Sequence, residues 1–283
     1  MQHVATEWHC GGTVVSLESP ILVGILNATP DSFSDGGAFL EVDAAVQHAL
    51  ELVDGGASII DVGGESTRPG ATRVGEDEQI ARVVPVIKAI QKKIDTIISI
   101  DTTRSLVALA AMEAGATIIN DVSAGIEDPE ILSLAASMGA GLVLMHRRLP
   151  PELDSYSDQY EHVQQSNDIT REVCDWLMDR VSVAESCGVE PESIAIDPGL
   201  GFGKSVEQNL ELVTHVDELV MTGYPVFIGA SRKSFIGSTT GITDPALRDE
   251  ASAMMAGDMT TRGAQIFRVH NVRQHARLLQ STN

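Results

Sequence analysis

The sequence predicts a single (β/α)8 barrel that spans residues 1–283 and carries a short N-terminal hairpin. In this architecture eight parallel strands close into a barrel, and the helices that follow them form an outer ring. Short runs rich in isoleucine, valine and leucine alternate with segments of helical periodicity, which predicts a parallel sheet. The strand-and-helix unit recurs eight times, and this number favours a closed barrel over an open sheet.

The predicted strands are the eight aliphatic runs. They lie at 21–27, 58–63, 96–101, 116–120, 141–146, 194–197, 226–230 and 265–269. Hydrophobic residues make up 43% of the chain and aromatic residues only 4%, so the core is expected to be aliphatic, as is typical of parallel sheets. Residues 12–18 precede the first strand and are expected to form a hairpin at the barrel floor.

The predicted helices follow the strands. They lie at 42–54, 77–93, 103–114, 129–138, 159–187, 205–220, 245–262 and 272–280. Asp128 and Asp244 each precede a proline, which is the order of an N-cap and a first helical residue. Ser205 and Gln208 have the spacing of a capping box, and the glycine pair at 55–56 is a natural end for the first helix.

Composition and charge exclude several classes of function. The net charge of -21 argues against binding to nucleic acid or to anionic membranes, and an anionic small substrate would need a local cluster of lysine and arginine. The three cysteines lack CxxC spacing, so neither a disulfide framework nor a zinc site is expected. The chain shows no signal-peptide pattern and no long apolar run, and a cytoplasmic location is therefore expected.

Polar side chains stand at or near the C-terminal end of each predicted strand. They are Asn27, Asp61, Asp101, Asn120, Asp121, His146, Asp197, Ser231, Arg268 and His270. In a barrel these ends converge on one mouth, where the active sites of this architecture lie. Any single one could instead be a cap or a turn residue, and Asp61 and Asp121 are candidates for bonding to loop amides. A whole ring of such residues is better explained by a bound ligand.

Three loops add further chemistry to the predicted mouth. The loop 63–70 places Thr67 and Arg68 at its tip. The glycines of 197–205 let the backbone approach a flat ligand closely, and the segment is not a Walker A loop because a proline stands where the first glycine is required. In 229–235, Lys233 and Ser234 are expected to enter a helix N-terminus, which favours anions.

The residue types at the mouth indicate the kind of ligand. The carboxylates of Asp101 and Asp197 suit a flat heterocycle with adjacent N–H groups, such as a purine or a pterin. The donors Lys233, Arg268 and His270 suit an anionic part of the same ligand.

At these residues the sequence resembles dihydropteroate synthases. The matching motifs are GILNATPDSFSDGG (24–37), DVGGESTRPGA (61–71), SIDT (99–102), IINDVSAG (118–125), LVLMH (142–146), IDPGLGFGK (196–204), GASRKSF (229–235) and RVHN (268–271). The resemblance implies a transferase of folate biosynthesis. It would condense (7,8-dihydropterin-6-yl)methyl diphosphate with 4-aminobenzoate to give 7,8-dihydropteroate and diphosphate. It also implies a homodimer that forms through the last helices.

The resemblance further implies a role for individual residues. Asn27 would bind Mg²⁺, the implied cofactor, together with the substrate diphosphate. The implied contacts to the pterin substrate are Thr67, Arg68, Asp101, Asn120, Met145, Asp197, Phe202, Lys233, Arg268 and His270. Among these, Asp101, Lys233, Arg268 and His270 would be catalytic. Phe33, Pro69 and Ser234 would line the 4-aminobenzoate site.

One segment departs from the family pattern. Where the family usually has a methionine and a short glycine-containing loop, this chain has Arg147 and Arg148 followed by Leu-Pro-Pro. The two arginines are expected to face solvent, and the alternative is that they attract phosphate. Two other functions stay open at this point. One is a corrinoid-dependent methyltransferase, which dependence on 4-aminobenzoate would distinguish, and the other is a pterin-binding paralogue without catalysis.

Overall fold

Eight parallel strands form the barrel in a computed structural model that describes residues 4–28, 38–160 and 166–280. In chain order they are β3 Ile21–Asn27, β4 Ile59–Gly63, β5 Ile97–Asp101, β6 Ile118–Asp121, β7 Gly141–Met145, β8 Ile194–Asp197, β9 Phe227–Ile228 and β10 Ile266–Val269. Consecutive strands are neighbours from β3 to β8, and β10 lies between β3 and β9. A parallel bridge between Ile196 and Val226 joins β8 to β9 and closes the barrel. The predicted fold class is confirmed.

An antiparallel hairpin covers the N-terminal end of the barrel. It consists of β1 Glu7–Cys10 and β2 Thr13–Ser16, so it begins earlier than the predicted 12–18. Trp8 is fully buried among the first inward-pointing residues of the barrel strands, and its indole N–H donates to the carbonyl of Ser193 at 2.8 Å. The hairpin therefore fills the floor, as predicted, and a ligand has to approach from the opposite end.

The helices of the described residues surround the strands. They are α1 Ala38–Asp54, α2 Glu76–Gln91, α3 Ser105–Ala114, α4 Glu130–Met138, α5 Ile169–Ser186, α6 Val206–Thr214, α7 Val216–Val220, α8 Ser234–Thr240, α9 Asp249–Thr261 and α10 Val272–Gln280. Their apolar faces pack on the outward-pointing strand residues in one aliphatic core. None of these helices, within the part of the chain that is described, is long and apolar enough to cross a bilayer.

Three predicted helices differ most from the observed elements. The helix predicted at 159–187 begins only after Asp168, whose carboxylate accepts a hydrogen bond from the backbone N–H of Arg171 at 2.9 Å. Residues 161–165 lie outside the described part of the chain. The segment 205–220 forms two helices, because the backbone of His215 leaves the helical region. The first turn of 245–262 is a 3-10 turn rather than an α-helix.

The predicted caps are confirmed in two cases of three. Ser205 and Gln208 form the capping box, with side chains that accept from each other's backbone N–H at 3.2 and 3.1 Å. Asp244 caps the turn that follows it. Asp128 does not occupy the N-cap of α4, which begins one residue later. One of its carboxylate oxygens accepts from the N–H of Glu130 in the first turn of α4 at 3.2 Å. The other accepts from the N–H of Ser105 at 2.7 Å and so supports the start of α3.

Candidate active site

The side chains inside the barrel are stacked in layers. Successive residues of a strand point to opposite faces, so the interior receives every second residue. The layer next to the floor hairpin contains Val23, Ile59, Ile97, Ile118, Val143, Ala195, Phe227 and Ile266. Two residues further along each strand, the next layer contains Ile25, Asp61, Ser99, Asn120, Met145, Asp197, Gly229 and Arg268. Asn27, Gly63 and Asp101 follow at the rim. The layer next to the floor is therefore apolar, and the layer above it already contains polar and charged side chains.

Arg268 of β10 joins Asp61 of this polar layer to Asp101 at the rim. Its guanidinium donates to Asp61 of β4 at 2.5 Å and to Asp101 of β5 at 2.7 Å. The amide of Asn120 donates to the same oxygen of Asp61 at 3.1 Å. Both carboxylates keep one buried oxygen that has no hydrogen-bond partner among the described residues. Unpaired buried acceptors of this kind are costly unless a ligand supplies the donor.

Burial shifts the acid–base properties of these residues. It raises the pKa of Asp101 well above the ordinary value of a carboxyl, and the charge of Arg268 opposes this shift. Burial likewise raises the pKa of Asp197 to about 6. It lowers the pKa of Lys233 to about 8, with a further contribution from the positive charge of Arg268. Shifts of this size on neighbouring groups in a concave position are typical of functional sites.

An apolar wall stands beside the polar layer. Val122, Met145 and Phe202 form a separate buried cluster at this end of the barrel. The ammonium group of Lys233 lies 3.8 Å from the centre of the Phe202 ring. The wall and the ring offer flat surfaces next to hydrogen-bonding groups, which is the combination that an aromatic heterocycle requires.

The glycine-rich loop after β8 is held tightly against the end of β7. Gly199 has a φ of +64°, and a Cβ atom on it would lie 1.9 Å from the carbonyl oxygen of His146. The N–H of Gly199 donates to the carboxylate of Asp197 at 2.7 Å and so fixes its orientation. Only glycine permits this approach to β7. The predicted approach of these glycines to a flat ligand stays a prediction.

Lys204 holds the same loop from inside and was missed as an individual residue by the sequence analysis. It is completely buried, and its ammonium group donates to the carbonyls of His146, Gly199 and Phe202 at 3.2, 2.9 and 3.1 Å. Burial lowers the pKa of Lys204 to about 7. A lysine directly after an apolar glycine-rich run was the available signal, since such a residue has to find acceptors if the run is buried.

Comparison with known proteins agrees with this geometry. The family of pterin binding enzymes matches residues 23–270. The dihydropteroate synthase of Streptococcus pyogenes is 46% identical over 259 residues, which cover 91% of this chain and 92% of that protein. The chain belongs to the dihydropteroate synthase family.

Solved structures of the family superpose closely on the chain. Dihydropteroate synthase from Xanthomonas albilineans with 4-aminobenzoic acid has a TM-score of 0.88 at 39% identity, and the match covers 98% of this chain and 97% of that one. The complex of the X. albilineans enzyme with 7,8-dihydropteroate gives a TM-score of 0.85 at 36% identity, with 97% of each chain covered. The protein is a transferase, and its function is the condensation of folate biosynthesis for which the family is named. The methyltransferase alternative is set aside.

Two expectations for polar strand-end residues need correction, and a third is confirmed. Asp61 does not bond to loop amides, because it lies in the second layer and binds Arg268 and Asn120. His146 is not part of the mouth. It points outward, is buried against Trp176 with ring centroids 4.8 Å apart, and its pKa is lowered by burial to about 2. Asp121 also points outward and accepts from loop amides, as expected.

Arg147 and Arg148 do not face solvent, so the favoured expectation for them was wrong. The side chain of each is only 8% exposed. Arg147 pairs with Glu127, and Arg148 pairs with Glu172 at 2.7 Å and donates to Gln208 at 3.1 Å. The carboxylates come from other loops and from α5, which the local sequence does not reveal.

The remaining candidate residues lie around the rim. Thr67 is half-buried and Arg68 exposed in the loop after β4, and Asn27 is half-buried at the end of β3. The ring of His270 is within hydrogen-bond distance of the hydroxyl of Ser231 at 3.0 Å, and its pKa is lowered by burial to about 3. The hydroxyl of Ser234 accepts from the N–H of Ser157 at 3.0 Å. Phe33 lies outside the described residues.

Proposed function

We propose that (7,8-dihydropterin-6-yl)methyl diphosphate binds in the barrel mouth, with its ring in the polar layer and its diphosphate at the rim. The observation that carries this proposal is the polar cluster at this end of the barrel, in which Asp101, Asn120 and Asp197 lie close to Lys233 and Arg268. A pterin has several N–H groups and a carbonyl along one edge. The two carboxylates and the amide oxygen would accept from the N–H groups, and Lys233 would donate to the carbonyl.

The flat faces of the ring would be covered by apolar side chains. Met145 and Phe202 are buried at the same end of the barrel as the polar layer. Because Lys233 lies over the Phe202 ring, the position of its ammonium group is set before the substrate arrives. The pocket would then recognise the ring by edge and by face together.

The diphosphate would be bound by the donors at the rim, Thr67, Arg68, Arg268 and His270. Arg268 uses two of its five N–H bonds for Asp61 and Asp101, so others remain for a phosphate oxygen. His270 is a neutral imidazole at neutral pH, because its pKa is about 3, so it would contribute a hydrogen bond rather than a charge. These contacts would strengthen as the leaving group gains negative charge, which lowers the barrier to C–O bond cleavage.

Mg²⁺ is the cofactor that we propose for the same end of the site. Asn27 offers an amide oxygen at the end of β3, next to the rim of the polar layer. Within residues 4–28, 38–160 and 166–280, no three acidic, histidine or cysteine side chains form a metal cage. A lone amide oxygen therefore fits an ion that keeps several waters and takes its other ligands from phosphate. The ion would supply charge neutralisation at the diphosphate.

We assign 4-aminobenzoate to the space between the loop that carries Pro69 and the start of α8, where Ser234 would meet its carboxylate. The arylamine attacks the methylene carbon, a C–N bond forms, and the C–O bond to diphosphate breaks. Asp101 would lie near the ring and stabilise positive charge that develops there, and Lys233 would hold the ring in line with the amine. No strong base is needed, because the leaving group departs with the electron pair and the amine loses its proton afterwards.

The protein is further proposed to be a cytoplasmic homodimer. Leu247, just before α9, and Met254, within α9, are 68% and 62% exposed, and we propose that these apolar side chains lie in the subunit interface. Sedimentation equilibrium would test the dimer directly, and Met254→Glu should shift the population to monomers.

The decisive experiment is an assay of diphosphate release from the dihydropterin substrate. Release should require both Mg²⁺ and 4-aminobenzoate, and dihydropteroate should form in equal amount. Binding of the pterin substrate without any release would identify a non-catalytic paralogue and overturn the proposal.

A further inference from the structure

The loop that joins β4 to α2, residues 64–75, is tied down by one arginine. Arg73 binds three carboxylates with three different nitrogens: Nη1 lies 3.2 Å from Glu65, Nε lies 2.9 Å from Glu152, and Nη2 pairs with Glu127. Glu65 belongs to the same loop, Glu127 to the loop after β6, and Glu152 to the loop after β7. One side chain therefore connects the loops after β4, β6 and β7 at the mouth of the barrel.

Backbone contacts also attach the loop, both to itself and to a neighbouring loop. The second oxygen of the Glu65 carboxylate accepts from the N–H of Val74 at 2.6 Å, which folds the loop back on itself. At the tip, the N–H of Gly70 donates to the carbonyl of Pro151 in the loop after β7, at 2.8 Å. The residues proposed to meet the diphosphate and the arylamine, 67–69, lie between these attachment points.

The partners of Arg73 are themselves fixed to the barrel. Glu127 also pairs with Arg147 and accepts from the hydroxyl of Thr103 at 2.7 Å. In the loop after β7, Asp154 accepts from the N–H of Gly203 at 3.1 Å. Because this loop also donates to Ser234, it touches the glycine-rich loop and the proposed 4-aminobenzoate site. Arg73 thus attaches the loop 64–75 to the loops after β6 and β7, which are themselves bound to other parts of the barrel.

We infer that Arg73 is a positioning residue, which holds Thr67 and Arg68 over the barrel mouth by binding the carboxylates of Glu65, Glu127 and Glu152. The inference rests on the proposed function, since it assumes that the loop 64–75 contacts substrate. Arg73 itself touches neither reacting atom. Its effect comes from three donors in a fixed planar arrangement, which a lysine does not reproduce.

The partial burial of the network makes this role physically reasonable. The side chain of Arg73 is 26% exposed, and those of Glu65 and Glu127 are 9% and 15% exposed. An isolated exposed ion pair contributes little to stability, but a network needs less ordering of side chains for each pair it adds. The ion-pair network stabilises the conformation of one loop rather than the whole fold. Loss of the network should therefore open the loop and leave the barrel intact.

The test compares Arg73→Met with a matched control, Arg171→Met, which removes an arginine whose pairing with Asp175 is fully on the surface. Steady-state kinetics, thermal unfolding and hydrogen exchange of residues 64–75 are measured on both. Arg73→Met should lower kcat/KM for the pterin substrate roughly tenfold to hundredfold, as expected when reacting groups are misplaced by ~1 Å. Exchange in the loop should become faster, while the unfolding temperature stays close to that of the wild type. Arg73→Lys should recover little, and Glu152→Gln should give an intermediate loss.

The outcomes separate this inference from the proposed function. Unchanged exchange in 64–75 would overturn the inference, whatever the activity of the wild type. Faster exchange with unchanged kcat/KM would overturn it as well, because the loop would then be held without consequence for the substrate. A wild type that releases no diphosphate would reject the proposed function, while the exchange measurement would still decide whether Arg73 fixes the loop.

Discussion

Arg268 and Asp101 form a buried ion pair, with 2.7 Å between guanidinium nitrogen and carboxylate oxygen, across the C-terminal end of the barrel. The same guanidinium binds Asp61, which is completely buried. One positive charge therefore stabilises two carboxylates that would otherwise repel each other in a low-dielectric interior. We propose that this triad forms the base of the pterin site.

Removal of Arg268 should destabilise the fold as well as the site. Arg268→Ala leaves two buried carboxylates without a counter-charge, and we expect a loss of about 3–5 kcal/mol in the free energy of unfolding. Urea unfolding at pH 7.5 measures this loss. Arg171→Ala, which breaks an exposed pair with Asp175, is the control and should cost less than about 0.5 kcal/mol.

The effect of Arg268→Ala should depend on pH. Burial raises the pKa of Asp101 above its value in the unfolded chain, so the native state of the variant binds the proton more tightly than the unfolded state. The free energy of unfolding of the variant should therefore rise as the pH falls from about 7.5 to about 5.5. The loss of stability relative to the wild type should be smaller at pH 5.5 than at pH 7.5. A deficit that grows on acidification would contradict the assigned charge state.

The pH dependence of kcat/KM for the pterin substrate should be bell-shaped. Below the pKa of Asp197, which burial raises to about 6, the carboxylate is protonated and no longer accepts from two N–H groups. Above the pKa of Lys233, which burial lowers to about 8, the ammonium group is lost. Lys233→Arg keeps its charge to above about pH 12, so it should remove the basic limb and leave the acidic limb in place. An unaltered basic limb in that variant would exclude Lys233 as its origin.

Much of the site could be predicted from sequence because the barrel obeys two simple periodicities. Aliphatic runs predicted the strands. Because side chains alternate along each strand, every second residue points into the barrel, as Asp101, Asn120 and Asp197 do. The prediction that His146 lies at the mouth was wrong because it ignored this alternation. His146 follows the inward-pointing Met145 and therefore points outward. Prediction from sequence also failed for Arg147, whose partner Glu127 lies twenty residues away in another loop. Contacts between loops depend on closure of the barrel, which local sequence does not encode.

Asn27→Ala should impair turnover far more than folding. The side chain is half-buried at the end of β3, and we propose that its amide oxygen binds Mg²⁺ with the substrate diphosphate. The Mg²⁺ concentration for half-maximal activity should rise about tenfold or more, in the range seen when metal contacts are removed. Titration of activity with Mg²⁺ measures the shift, and the unfolding temperature serves as the control. A variant that loses stability and activity in parallel, with unchanged Mg²⁺ dependence, would exclude Asn27 from the metal site.

Gly199→Ala should disrupt the glycine-rich loop, both by backbone strain and by a steric contact of the added Cβ. A second glycine, Gly139, separates these two causes. Gly139 has a similar φ of +58° but no atom within 4 Å of the position that a Cβ would occupy, so Gly139→Ala measures backbone strain alone, about 1–2 kcal/mol. At Gly199 the added Cβ would in addition meet the carbonyl oxygen of His146 at 1.9 Å, and the backbone has to move. That movement would also displace the N–H that orients Asp197.

We therefore expect a larger loss of unfolding free energy in Gly199→Ala than in Gly139→Ala, together with a loss of pterin affinity that the control does not show. Calorimetric titration with the pterin substrate and urea unfolding of both variants measure the difference, and equal behaviour of the two would mean that the loop tolerates the contact.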